Sequence, residues 1–96
     1  MIVHIVMIKF KTETSKDKIE EIKQDIENLK DSIDGLLSME VGLNFANEDR
    51  AMDLVLTAKF NTKEDLNIYA KDATHQKVIA KIKECAEYSK VVDYEI

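Results

Sequence analysis

The 96-residue chain contains no proline, two glycines and one cysteine. Without proline, or any Gly/Ser-rich or repetitive stretch, nothing marks a linker or boundary, so residues 1–96 read as one domain. Two isolated glycines, Gly35 and Gly42, cannot build a glycine-rich phosphate loop. Nucleophile elbows, metal-ligand spacings and paired cysteines are also missing, so no cofactor and no metal is expected. A lone Cys85 excludes an internal disulfide and points to a reducing compartment, the cytoplasm. Long apolar runs are absent too. The opening segment Met1–Lys9 is interrupted by His4 and falls well short of the roughly 20 residues a membrane span needs. It has neither a basic leading region nor a small-residue cleavage site, so no signal peptide is expected. Positive charge is in deficit, with 14 Lys and Arg against 19 Asp and Glu and a net charge of −5. Such a chain repels phosphate backbones. Its lysines alternate with acids, as in Lys16-Asp17-Lys18, the pattern of a solvated helix face. The strands offer Val, Ile, Leu and Met rather than aromatics on which bases could stack, so neither nucleic acid nor membrane is an expected partner.

What is present is strong periodicity. Residues 2–11 form a strand with apolar side chains on both parities: Ile2, Val6, Ile8 and Phe10 share a face with His4, and Val3, Ile5 and Met7 share the other. A strand that is apolar on both sides must be covered on both. A chain this small buries only about 60–65% of its unfolded surface. Its helices can cover one face, and a second copy of the chain is the economical cover for the other. Thr14-Ser-Lys-Asp17 has the spacing of a capping box. Behind it Ile19, Ile22, Ile26, Leu29 and Ile33 recur at helical spacing over about five turns, with Gly35 as the stop. Strict alternation over Leu37–Phe45 predicts a second strand, Asn47–Arg50 a turn, and Leu54–Phe60 a third strand paired with the second. Thr62, three residues before Asp65, caps a short helix carrying Leu66, Tyr69 and Ala70. The pattern breaks near Asp72–Thr74, resumes from His75 through Val78, Ile79, Ile82 and Cys85, and ends in a strand over Val91–Ile96. The fold class is α+β, with ferredoxin-like βαββαβ order, an antiparallel four-stranded sheet and helices on one face.

Few residues are placed to carry chemistry. His4 sits mid-strand among apolar neighbours, where it is either a structural histidine or a group that moves a proton. Tyr69 lies on the apolar stripe of the short helix and His75 opens the next segment. Together they are either a core tyrosine with a capping histidine or a hydrogen-bond donor and a general base at one cavity. Asp72 and Thr74 have the character of helix caps. Cys85, on an apolar stripe with no cationic neighbour in sequence, reads as an inert buried thiol, and Met7 and Met39 as packing residues.

His4-Ile-Val-Met-Ile-Lys-Phe-Lys11, the long helix that follows, Phe60 nine residues before Tyr69, and the closing Val91-Val-Asp-Tyr94 together resemble the stress-responsive α/β barrel (Dabb) family. These are dimeric α+β barrels whose members include a plant polyketide cyclase. The family's motif Tyr-x-x-His-Pro-x-His is read here from Tyr69 to His75, with Asp72 and Ala73 standing where the motif has His-Pro. The resemblance implies a homodimer, with a pocket for a small hydrophobic or aromatic ligand between the helices and the inner sheet face. It assigns Tyr69 and His75 to the catalytic pair, and His4, Val6, Ile8, Leu54, Leu56 and Ala58 to the ligand-binding wall. Leu54 stands where the cyclase has a further histidine. Three functions stay open: cyclase- or lyase-like acid–base chemistry, ligand binding without turnover, and cofactor-less oxygenation of the kind carried out by related barrels. Whether the chain is an enzyme is left open by the sequence.

Overall fold

The computed structural model describes residues 1–96. Along the chain come β1 (Ile2–Phe10), α1 (Lys16–Asn28) with a 3-10 turn over Leu29–Asp31, β2 (Ser38–Leu43), β3 (Leu54–Phe60), α2 (Lys63–Lys71), α3 (Ala73–Cys85) and β4 (Ala86–Glu95). The sheet order is β2-β3-β1-β4 and each neighbouring pair is antiparallel. This is the ferredoxin-like βαββαβ arrangement, with β1 and β3 central and β2 and β4 at the edges.

Each helix begins where a short polar side chain satisfies free backbone N–H groups. For α1 the cap is Ser15, one residue later than the expected Thr14, with the Lys18 N–H donating to Ser15 Oγ at 3.1 Å. Thr14 is otherwise engaged: its hydroxyl donates to the Cys85 carbonyl at 3.3 Å, and the Lys11 N–H donates to the same oxygen at 2.8 Å. The end of α3 is thereby tied to the loop that leads into α1. Helix α1 is also shorter than the apolar stripe implied. Its last turn tightens into the 3-10 segment, and Gly35, at φ +88°, turns the chain away. A Cβ at Gly35 would lie 3.1 Å from the Asp65 carboxyl group, which would have to give way slightly, so it is the left-handed conformation that calls for glycine here. Thr62 caps α2 as expected, with the Asp65 N–H donating to Thr62 Oγ1 at 3.1 Å.

The core forms two apolar clusters between the helices and the inner sheet face. One joins Ile22 and Ile26 of α1 to Ile8, Phe10, Val41 and Leu56; the other joins Leu29 and Ile33 to Ile2, Ala58, Phe60 and Tyr69. Lys81 of α3 clamps the outer side of α1, reaching Asp25 Oδ2 at 2.7 Å and Glu21 Oε2 at 2.9 Å. Two strand boundaries differ from the sequence reading. β2 stops at Leu43 and leaves Phe45 in the following loop, wholly exposed. β4 starts at Ala86, directly after α3, five residues earlier than its apolar pattern suggests. As a solvent-facing edge strand, β4 carries Glu87, Ser89 and Lys90 without a burial penalty, so its first half shows no apolar alternation.

Because the core is thin, single cavities in it are costly. Ile26→Ala should lower stability by about 2–5 kcal/mol in urea denaturation. Ile68→Ala, on the half-exposed face of α2, should change it by about 0.5 kcal/mol or less.

Candidate functional site

One cavity of about 440 Å³ opens between α3 and the β1–β4 half of the sheet. Its body is apolar, formed by Val6, Ile8, Leu56, Ile79, Ile82 and Val91. His4, Tyr69 and His75 line it as well, and Lys83, Glu87, Tyr88 and Ser89 form the polar rim.

The polar groups arrive there through local backbone chemistry. Tyr69 lies in the last turns of α2. Asp72 then leaves helical geometry at φ −61°, ψ 136°, and its Oδ1 accepts from the Thr74 N–H at 2.8 Å and the His75 N–H at 3.1 Å. One residue thus ends α2 and caps α3, which folds the first turn of α3 back over Tyr69. The Tyr69 and His75 rings stack with centroids 4.0 Å apart, inclined by 32°. Phe60 packs on the phenol from beneath at 5.2 Å, and His4 meets it edge-on at 5.9 Å. The cluster places two imidazoles on either side of one phenol.

Electrostatics divide these groups by role. Tyr69 is 1% exposed, and burial alone pushes its pKa up to about 12, so the phenol keeps its proton and is available as a donor at neutral pH. His75 Nδ1 is buried and makes no hydrogen bond within the chain. Desolvation holds this imidazole below the ordinary 6.5, and the nearby His4 ring acts in the same direction. The Ala70 and Tyr69 carbonyls and the Asp72 charge oppose the shift without cancelling it. A neutral imidazole can accept a proton. His4 Nδ1 is hydrogen-bonded to Asp93 Oδ1, its neighbour across the β1–β4 ladder. A carboxylate there accepts the Nδ1 proton and leaves Nε2 as the free nitrogen.

Of the eight residues singled out from the sequence, the cavity brings together His4, Val6, Ile8, Leu56, Tyr69 and His75. Leu54 and Ala58 lie elsewhere. Both are on β3 and completely covered, Leu54 in the Ile8–Ile22–Ile26 cluster and Ala58 beneath Phe60 and Tyr69. The open space lies on the β4 side of β1, whereas the packed α1 helix fills the β3 side. Sequence reasoning missed Asp93, whose role depends on strand register. It also missed the wall from Ala86 to Ser89, which carries no apolar alternation. Ile79 and Ile82 were visible as part of a helical stripe, a pattern that does not distinguish packing from the wall of a cavity.

The sequence profile of the stress responsive A/B barrel domain matches residues 2–96, and the chain belongs to that family. No curated protein matches it in sequence. Among solved structures, a dimeric ferredoxin-like protein of unknown function from Bacteroides fragilis superposes with a TM-score of 0.87 at 27% identity, covering 99% of this chain and 95% of that one. An Arabidopsis thaliana protein gives a TM-score of 0.90 at 21% identity, with coverage of 100% and 95%. A hydroxynitrile lyase from Passiflora edulis gives 0.88 at 21%, with coverage of 99% and 92%. At those identities the last two are alike in fold.

Tyr69 and His75 both make stability depend on pH, in opposite senses. For His75 the unfolded chain binds more protons between the depressed folded pKa and about 6.5, so stability should rise with pH across that window and be lost as pH falls through it. His75→Gln should flatten that slope in chemical denaturation followed by pH. For Tyr69 the folded pKa lies above the unfolded value of about 10, so its contribution is lost as pH rises from about 10 to about 12. Tyr69→Phe should remove the phenolate absorbance step near pH 12.

Proposed function

We propose that the chain works as a homodimer in which each cavity binds a small, mainly apolar molecule carrying a carbonyl or phenol, and acts on it by acid–base chemistry. His75 is the general base and Tyr69 the donor that steadies a developing oxyanion. His4, held by Asp93, orients the ligand through its free nitrogen. The observation that carries this reading is the convergence of three ionisable groups from three elements on one apolar cavity, each in a fitting protonation state: a phenol that stays protonated, an imidazole that stays neutral, and an imidazole fixed by a carboxylate. Proton transfer by a positioned group of this kind contributes about 10²–10⁴-fold to rate. The dimer part of the reading is supported by the open, largely apolar outer face of the sheet, where Met7, Val55, Val92 and Tyr94 are exposed, and by the dimeric description of the Bacteroides fragilis relative. A second reading, binding without turnover, draws on Asp72. Where the family motif has histidine, this side chain caps α3 through Oδ1 and is not part of the cavity wall.

A panel of aryl ketones, phenols and β-keto esters separates the two readings. For a compound that both binds and turns over, His75→Ala and Tyr69→Phe should each lower kcat by about 10²–10⁴-fold while leaving Kd little changed. Binding with no turnover anywhere in the panel would replace the enzyme reading with the carrier, and the absence of any melting shift would remove both. Light scattering should give about 22 kDa, twice the 11.0 kDa chain. Ile5→Glu, which sets a carboxylate in the middle of the outer face, should shift that mass toward monomer.

A further inference from the structure

The cavity is a slot with different chemistry at its two ends. Along α3, His75, Ile79 and Lys83 succeed one another at i, i+4 spacing, which stacks them in one row on the helix surface. That row borders the cavity, while Val78 and Cys85, on the neighbouring row, pack into the core. At 1.5 Å of rise per residue, Lys83 stands about 12 Å further along the helix than His75. Strand β1 gives the same measure on the opposite wall, where His4 to Ile8 spans about 13 Å of extended chain. The two walls run the same way. His4 and His75 flank Tyr69 at one end. At the other, the Lys11 N–H donates to the Cys85 carbonyl, where β1 and α3 both finish. Val6, Leu56, Ile79 and Val91 lie between the ends, and none of these side chains can pair with a polar group.

The far end is polar, and its donors are not used by the chain itself. Lys83 and Ser89 line it, and neither side chain makes a hydrogen bond or ion pair within the chain. Lys81, two residues earlier, is by contrast committed to Glu21 and Asp25. Ser89 lies opposite Ile8 in the β1–β4 ladder and faces inward with it. Glu87 also reaches the rim, but it is the extra residue where the register shifts between Lys9 and Phe10, outside the inward row of β4. An ammonium and a hydroxyl can both donate to one carboxylate, and the open mouth lets that group keep part of its water. The apolar middle of the slot could not take a charge without a heavy desolvation cost.

We propose, resting on the ligand reading above, that the substrate is a medium-chain oxo acid: its carbonyl lies at the Tyr69–His75 end, its apolar chain fills the slot, and its carboxylate is held by Lys83 and Ser89 at the mouth. An extended chain advances about 1.1–1.2 Å per bond, so a span of about 12 Å corresponds to about ten bonds. Lys83 is then the residue that sets specificity. The chain as a whole carries a net charge of −5 and repels a free anion at long range, so a preference for the acid over a neutral ketone of equal length has to come from a local cation.

Calorimetric titration of the full chain with 9-oxodecanoate and with decan-2-one tests this, because the two share a methyl ketone and a chain length and differ in the carboxylate. At low salt the oxo acid should bind about fivefold more tightly, the gain from one partly solvated charged contact. Lys83 is exposed and unpaired, so Lys83→Gln leaves the fold intact, and in that variant the preference should fall to about one. The shorter 5-oxohexanoate cannot reach from Tyr69 to Lys83 and should lose nothing in Lys83→Gln. Decan-2-one binding as tightly as the oxo acid, or a preference that persists in Lys83→Gln, would overturn the inference and leave the acid–base cavity standing. Tighter binding of 10-aminodecan-2-one, lost in Glu87→Gln, would give the mouth to the carboxylate side chain and overturn it as well. If none of the three ten-carbon ketones bound, the inference would fall alone; if the aryl ketones, phenols and β-keto esters also failed to bind, the ligand reading would fall with it.

Discussion

The β1–β4 ladder is the constraint on which the rest of the molecule depends. It runs from Ile2 opposite Glu95 to Phe10 opposite Ala86, joining the two ends of the chain along the whole length of a central strand. This pairing does three things at once. It sets Asp93 beside His4, which fixes the tautomer of the histidine. It builds the second wall of the cavity from Ser89 and Val91, opposite α3. It also gives β1 a neighbour on each edge, so that its two apolar parities become the two faces of a sheet rather than one buried face and one frayed edge. A slip of one residue along that ladder would send His4 and Asp93 to opposite faces.

The cavity owes its polar end to a second economy, at Asp72. A loop of ordinary length between α2 and α3 would separate Tyr69 from His75. A single residue that both stops one helix and caps the next keeps their rings in contact at 4.0 Å. Where relatives with the full motif have His-Pro at this turn, Asp72 and Ala73 reach a helix break by another route. Proline would restrict the backbone, whereas here a carboxylate takes up two N–H groups. The geometry of Tyr69 and His75 then requires no more than a capping residue.

Much of this was legible in the sequence because burial leaves a period. The stripe from Ile19 to Ile33 announced α1, strict alternation announced β2 and β3, and the double-sided β1 announced a sheet with two apolar faces. Residues that face the cavity from elements with a clear period, Val6, Ile8, Leu56, Tyr69 and His75, could be placed from pattern and resemblance together. What stayed hidden was fixed by register or by exposure. Leu54 and Ala58 share the parity of Leu56, and only the position of α1 shows that they are covered by packing rather than by open space. Asp93 looks like any charged residue near a chain end until the pairing with β1 is known. The first half of β4 is an exposed edge, where burial imposes no alternation that could be read.

The stacked pair of Tyr69 and His75 has one further property. The chain has no tryptophan, so its near-ultraviolet emission comes from three tyrosines, and one of them, Tyr69, packs against an imidazole at 4.0 Å. A ligand entering the cavity would change the surroundings of that phenol directly. The molecule therefore carries its own optical gauge at the place where a ligand would sit, with no dye or label required.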